Sequence, residues 1–404
     1  MTSTTCGSWT RRAAGPVLMM AVVAGALPAC GPPGPAEPGP GDEEYEFAAT
    51  RLEAVDERID PGAYPAITGT DLLWSTRPAN DWTSGFYPGQ LWQMYEHTDD
   101  EAWLERAEAW QAGIEAQKND ASTHDIGFQL LTTFGNAYRL TDDDAYRQVL
   151  LTGANTLATR YDPDVGAVRS WDAITDTTRF RVIVDGMMNN ELLFWAAANG
   201  GPAHLRDIAV EHALTTAQNA VRADGSTYHV VNYDQVTGAI ITQGTHQGLN
   251  AESTWSRGQA WTIHGFTTAY RYTEDTRFLD TARAVADYYV GHLPADFVPY
   301  WDFELPTTDG EPRDSSAAAI AASGLLELSR LEPDDDRADR YFDVAESTLE
   351  SLSSPAYLSE GTATESVLLH GTRHRRIGSF DTGLPYGDYY FLEAWARYAA
   401  MAED

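Results

Sequence analysis

From Glu44 to the C-terminus, apolar residues recur at helical spacing, and the helix starts share one form. A Thr and a group of acids precede an aromatic residue or Leu, and an amphipathic, often Ala-rich stretch follows. The form occurs at Thr98-Asp-Asp-Glu-Ala-Trp-Leu104, Thr141-Asp-Asp-Asp-Ala-Tyr-Arg147 and Thr273-Glu-Asp-Thr-Arg-Phe-Leu279. A looser copy is Asp334-Asp-Asp-Arg-Ala-Asp-Arg-Tyr-Phe342. Asp and Thr ahead of a first turn satisfy its orphan N–H groups and complement the helix dipole. The starts are separated by enough chain for a helix, a loop and a second helix. Repeated helix pairs along one chain predict a solenoid or a closed α/α toroid. A short β-hairpin is expected around Thr227–Val231 and Gly238–Thr242, where apolar and polar residues alternate about a turn.

Polar, aromatic-rich segments lie between the helix pairs: 80–90, 122–128, 185–190, 224–261, 300–316 and 370–390. In an open superhelix they would line a groove; in a closed ring they would gather at one mouth. The richest runs from His246 to Trp261, crowding Gln247, Trp255, Arg257, Gln259 and Trp261 together. Trp255, Arg257, Gln259 and Trp261 fall two residues apart, so they cannot share one helical stripe. The pattern predicts a loop that becomes a helix start, with flat aromatic walls and hydrogen-bonding groups converging on a polar ligand. Sugars require that mixture, and Arg suits a carboxylate.

Two acids stand on hydrophobic approaches to helices. Asp125 lies in Thr123-His-Asp-Ile-Gly-Phe128, and Asp185 in Val182-Ile-Val-Asp-Gly-Met-Met-Asn189. Each is also a plausible N-cap. Asp185, however, is surrounded by Val182, Ile183, Val184, Met187 and Met188, so burial should raise its pKa into the range of a general acid. A pair of carboxylates is the usual equipment for glycosidic chemistry. His229 follows the turn Asp224-Gly225-Ser226 and reads either as a structural histidine or as a residue at a site mouth. Pro312-Arg-Asp-Ser-Ser-Ala317 opens a small-residue helix, with Arg313 and Asp314 as structural ions.

Composition narrows the function. The net charge of −33 lacks the basic footprint that nucleic acid requires. Among the first residues, Arg11-Arg12 and the apolar Val17–Leu27 read as an export signal, and Leu27-Pro-Ala-Cys30 resembles a bacterial lipoprotein cleavage site. The expected division is a signal peptide over 1–29, a Pro/Gly-rich tether over 30–43 with Cys30 lipidated, and a helical domain over 44–404. Membrane association is then expected only through that lipid. The remaining cysteine, Cys6, lies in the segment to be removed, so neither a disulfide nor a cysteine nucleophile is expected in the mature domain. Metal-ligand motifs, a nucleophile elbow and a phosphate-binding Gly loop are absent from the sequence.

Several of these segments match a known family in order. They are Asp81-Trp-Thr-Ser-Gly-Phe-Tyr-Pro-Gly89, His124-Asp-Ile-Gly-Phe128, Asp185-Gly-Met-Met-Asn189 and Arg222-Ala-Asp-Gly-Ser-Thr-Tyr-His229. His246-Gln-Gly248, Trp255-Ser-Arg-Gly-Gln-Ala-Trp261, Trp301-Asp-Phe303, Pro312-Arg-Asp-Ser-Ser-Ala317 and Tyr386-Gly-Asp-Tyr-Tyr-Phe-Leu-Glu393 continue the set. With these, the chain resembles glycoside hydrolase family 88, the unsaturated glucuronyl hydrolases. The resemblance implies an all-α fold, an α/α toroid of six helical hairpins with small β-hairpins among the mouth loops.

It also implies hydrolysis of oligosaccharides that lyases leave with a 4,5-unsaturated uronic acid at the non-reducing end, glycosaminoglycan-type fragments foremost. On that resemblance Asp185 is the general acid/base and Asp125 the second essential carboxylate. Trp82, Phe86, His229, Gln247, Trp255, Arg257 and Trp261 fall on substrate-contact positions, and His246 is grouped with them. No metal or organic cofactor is implied. Two alternatives remain: an unsaturated rhamnogalacturonyl hydrolase acting on pectin fragments, and a non-catalytic glycan-binding lipoprotein. Gln259-Ala260 favours the glucuronyl group over the first, and the retained Asp125 and Asp185 weigh against the second.

Overall fold

The Thr-acid-Asp signature builds a two-residue corner between antiparallel helices. Helix α2 (Phe86–Thr98) ends where the Thr98 hydroxyl donates to the Met94 carbonyl at 2.7 Å. Asp99 then turns the chain in the left-handed region, at φ 55°. Asp100 caps α3 (Glu101–Gln111) by accepting the Ala102 N–H at 2.9 Å. Thr141, Asp142 and Asp143 repeat the corner between α5 (Asn136–Thr141) and α6 (Asp144–Ala158). Thr273, Glu274 and Asp275 repeat it between α9 (Ser256–Thr273) and α10 (Thr276–Gly291). A left-handed non-glycine residue costs about 1 kcal/mol, so the flanking hydrogen bonds are what hold each corner. Asp334 caps α12 (Asp335–Leu352) in the same way, without the left-handed residue.

The computed structural model describes residues 38–402. The expected signal peptide and Cys30 lie outside the described residues. Helix α1 is Asp42–Asp56, so the helical domain starts two residues before the expected boundary at Glu44. Gly41, at φ 87°, turns the chain into it, and Asp42, Glu43 and Glu44 fill its first turn, where acids favour helix formation.

The helix pairs close on themselves. An inner ring consists of α2, α4 (Ile126–Leu130) running through a π turn (Leu131–Gly135) into α5, then α7 (Gly186–Ala198), α9, α11 (Ser315–Leu331) and α13 (Pro385–Ala402). Each packs on the next, and α13 returns to α2. The outer partners are α3, α6, α8 (His204–Ala220), α10 and α12; α1 completes the set by donating its Tyr45 hydroxyl to the Leu392 carbonyl of α13. The expected six-hairpin α/α toroid is therefore the fold of the described residues.

Inner helices bury most of their length on every side, with small and apolar residues filling those turns. Ser256–Ala269 of α9 and Ser315–Ser329 of α11 are buried throughout. Close approach depends on glycine: a Cβ on Gly265 would lie 2.4 Å from the Met187 Cβ.

Small sheets decorate the mouth. β1 (Tyr64–Thr68) pairs with β2 (Trp74–Arg77), and β3 (Tyr161–Asp162) with β4 (Ala167–Val168). The expected hairpin is present as β6 (Val230–Tyr233) and β7 (Ile240–Gly244), but β5 (Phe180–Ile183) adds a third strand to it. Phe180, Val182, Val231 and Tyr233 bury a small second core beneath this sheet, and that burial recruits β5 from far upstream.

Candidate active site

All the inner helices point their N-termini at one mouth, and the candidate chemistry sits there. Asp125 precedes α4 and Asp185 precedes α7, each at the N-cap position. Neither side chain caps its helix, unlike the aspartates of the outer corners. Both instead line a cleft of about 360 Å³, together with Trp82, Trp171, His246 and Gln247. Arg257, Arg373 and His374 border the same space. The two acid-bearing helix starts are locked to each other. Asn189 accepts the Phe128 N–H at 2.7 Å and donates to the Asp185 carbonyl at 3.4 Å. A Cβ on Gly127 would come within 2.5 Å of the Asn189 Cα, so that glycine sets the spacing.

Asp185 is a buried carboxyl with little to neutralise it. Its Oδ2 is shut off from solvent and lacks a hydrogen-bond partner among the described residues. Burial pushes it up to about 7, against the pull of Arg257 and a backbone N–H; the Asp125 charge adds to the rise. His229 faces it, Nε2 lying 3.6 Å from Oδ2. The other ring nitrogen, Nδ1, accepts the N–H groups of His246 and Gln247, both at 3.3 Å. That places the ring proton on Nε2, directed at Asp185. Burial, then His246 and Arg257, hold His229 well below its usual pKa, so it is a neutral donor. With Oδ2 turned towards an N–H, the acidic proton of Asp185 is directed to Oδ1.

A raised carboxyl alone would not identify the acid. Burial also brings Asp388 to about 7, but it accepts the Val367 and Leu368 N–H groups at 3.0 and 2.9 Å and lies away from the cleft. Asp125 is more open than Asp185. Its Oδ2 accepts the Thr123 hydroxyl at 2.8 Å, and its Oδ1 lies 3.3 Å from Nε2 of buried His124.

The cleft brings together Trp82, Asp125, Asp185, His246, Gln247 and Arg257 of the expected residues. His229 lies directly behind Asp185. Trp255 is a layer deeper, stacked on His229 at 4.4 Å and beneath the Arg257 guanidinium at 4.4 Å. Phe86 and Trp261 have no exposed surface and belong to an aromatic plug below the cleft. Phe86 meets Trp82 at 5.9 Å and Phe128 at 5.5 Å, while Phe128 meets Trp261 at 5.1 Å. The expectation that Phe86, Trp255 and Trp261 touch substrate is corrected to support of the residues that line the cleft.

Arg257 changes role as well. Its Nη1 donates to Asp314 Oδ2 at 2.8 Å and to the Thr372 carbonyl at 2.5 Å. Its Nη2 donates to Gln247 Oε1 and the Arg373 carbonyl, both at 2.8 Å. Four acceptors occupy its terminal nitrogens, so Arg257 anchors Thr372 and Arg373 at the border of the cleft. Asp314 is the structural ion expected of it, with Arg257 as partner. The cation left over is Arg373, whose guanidinium has no acceptor among the described residues. His246 and His374 are no substitutes: burial and nearby cations lower both, His374 to about 4.

Arg373, His374 and Trp171 were not singled out from sequence. Arg373-His-Arg-Arg376 was nevertheless visible as a dense basic run in an acidic chain. Trp171 stands in a short loop with no such signal; its ring meets His246 at 5.2 Å.

Comparison with known proteins decides the family. Residues 66–389 match the model of Glycosyl Hydrolase Family 88. The chain belongs to glycosyl hydrolase family 88. It is 43% identical over 325 residues to the unsaturated glucuronyl hydrolase of Formosa agariphila, covering 79% of this chain and 80% of that protein. Over 340 residues it is 37% identical to the unsaturated glucuronyl hydrolase of Bacillus sp. (strain GL1), covering 83% and 90%. Among solved structures it resembles an unsaturated glucuronyl hydrolase specific for heparin. The TM-score is 0.85 at 39% identity, over 90% of this chain and 97% of that one.

Proposed function

We propose that this family 88 enzyme removes the 4,5-unsaturated uronic acid from the non-reducing end of lyase-generated glycosaminoglycan fragments. The observation that carries the reading is Asp185: a carboxyl raised to about 7 by burial, open to the cleft and facing a neutral imidazole N–H. Asp185 gives its proton to C4 of the ring, and the ring oxygen supports the positive charge that develops at C5. The carboxylate left behind is met by the His229 N–H and takes a proton from the water that adds at C5. The acid is thereby restored, and a C5 hemiketal stands where the double bond was. Ring opening of that hemiketal breaks C5–O5 and leaves a C5 ketone with a hemiacetal at C1. Collapse of the hemiacetal to an aldehyde breaks the C1–O bond and releases the remainder of the saccharide. Asp125, beside Asp185 in the cleft, discourages its early ionisation by like charge.

Trp82 and Trp171 offer aromatic surface to the sugar, and Gln247 an amide. Arg373 is the cation left for an anionic group of the substrate, a uronate carboxylate or a sulfate. Relatives are named for glucuronyl and chondroitin substrates, in keeping with such fragments. The sequence signals around Cys30 favour work outside the cytoplasm from a lipid anchor. The deciding assay follows ultraviolet absorbance of the C4=C5 bond when the protein meets unsaturated chondroitin, hyaluronan and heparin disaccharides. Turnover removes that absorbance; a signal unchanged on all three rejects the activity.

A further inference from the structure

Behind Asp125 lies a buried imidazole pair that the reaction above does not use. His124 and His212 are each about 1% exposed. The Val168 N–H donates to His212 Nδ1 at 3.1 Å, which places the His212 ring proton on Nε2. That Nε2 and the Nδ1 of His124 both face Gly186, the residue after Asp185. A Cβ there would lie 3.1 Å from His212 Nε2 and 3.8 Å from His124 Nδ1. The gap they share, lined also by Leu157, Val168 and Asn190, is too small to admit water. The far nitrogen of His124, Nε2, lies 3.3 Å from Asp125 Oδ1. One imidazole thus reaches from the start of α7, beside Asp185, to the carboxylate of Asp125.

We propose that His124 is a positioning residue for the reaction, holding Asp125 Oδ1 with a ring N–H while His212 braces its other side. Thr123 holds the second oxygen from the same loop, its hydroxyl donating to Asp125 Oδ2 at 2.8 Å, while His124 Nε2 stands 3.3 Å from Oδ1. A neutral donor is what this place requires. A cation would neutralise Asp125 and remove the like charge that acts on Asp185; an apolar residue would let the carboxylate swing. The charged groups facing His124 are Asp125 and Arg160, and His212 is the titratable group behind it. Burial outweighs the Asp125 charge and keeps His124 below its usual pKa. The role rests on the hydration activity proposed above.

Two variants with the same functional group and different reach test it. His124→Gln can carry an N–H to about the place of Nε2; His124→Asn stops near Nδ1. Positioning predicts that the Gln variant stays within a few-fold of the parent in kcat. The Asn variant should fall roughly 10- to 100-fold, as misplaced catalytic groups do, with KM nearly unchanged and the alkaline limb of its pH profile moved. Melting curves provide the folded fraction used to normalise both rates. Equal rates for the two variants, or a loss in the Asn variant that follows its unfolded fraction, would overturn the role. A parent inactive on every unsaturated disaccharide would instead remove the activity, and this role with it.

Discussion

The two ends of the ring both bury carboxyl groups, yet they treat them oppositely. Where the inner helices end, the larger cavity, about 590 Å³, is lined by charges in pairs. Glu327 accepts from Arg397 at 2.6 Å and lies 2.7 Å from Arg271, while Glu393 has Arg397 at 3.5 Å and His264 at 3.3 Å. Burial alone would raise both acids, but these cations outweigh it, bringing Glu327 down to about 2 and Glu393 well below the carboxylate range. Where the inner helices begin, Asp185 is equally buried, and the nearby guanidinium of Arg257 is already shared among four acceptors. Cavity size does not locate the chemistry. On the proposed function the smaller cleft holds the reactive group, because there one buried acid lacks an ion-pair partner.

That contrast is open to attack from either end. The largest expected effect is at the mouth: Asp185→Asn should cost about a thousandfold or more in turnover while substrate binding stays measurable by calorimetry. At the opposite end, Arg397→Met leaves Glu327 and Glu393 short of a cation. It should destabilise the fold by roughly 3 kcal/mol, read by denaturant unfolding, with kcat per folded molecule unchanged. A large loss of kcat in that variant would mean that the two ends are not independent.

Stability should also respond to pH with opposite sign at the two ends. Asp185 is raised on folding, so its contribution is fully present below its ordinary value of 3.8 and is lost as pH rises through about 7. Asp185→Asn should therefore exceed the parent in stability above pH 7, by up to roughly 4 kcal/mol, and match it near pH 4. Glu327 is lowered on folding, so its contribution is present above 4.5 and is lost as pH falls through about 2. The smallest effect belongs to the outer corners. Asp143→Ala removes a cap made at 2.8 Å and should cost about 1 kcal/mol, with no change in activity.

The ring was legible because its corners are written locally. Thr, an acid and a capping Asp within three residues specify a turn wherever they recur. That Asp125 and Asp185 share a cleft is legible for the opposite reason: both are cap-type residues set among apolar neighbours that a cap does not need. Phe86 and Trp261 were misread because an aromatic at the start of an inner helix can face the cleft or the ring axis, and spacing does not distinguish the two. The anchoring role of Arg257 is not legible in the sequence because its acceptors, Asp314, Thr372 and Arg373, come from far along the chain. Strand β5 escaped notice for the same reason: its partner β6 lies beyond two helices.

The pH dependence of kcat/KM on an unsaturated disaccharide tests most directly whether the buried, unpaired Asp185 is the acid. This quantity reports the groups of the free enzyme. The rate should fall as pH rises through about 7, as Asp185 loses its proton. A profile that instead declines near pH 4, or stays level from pH 5 to 9, would contradict that assignment.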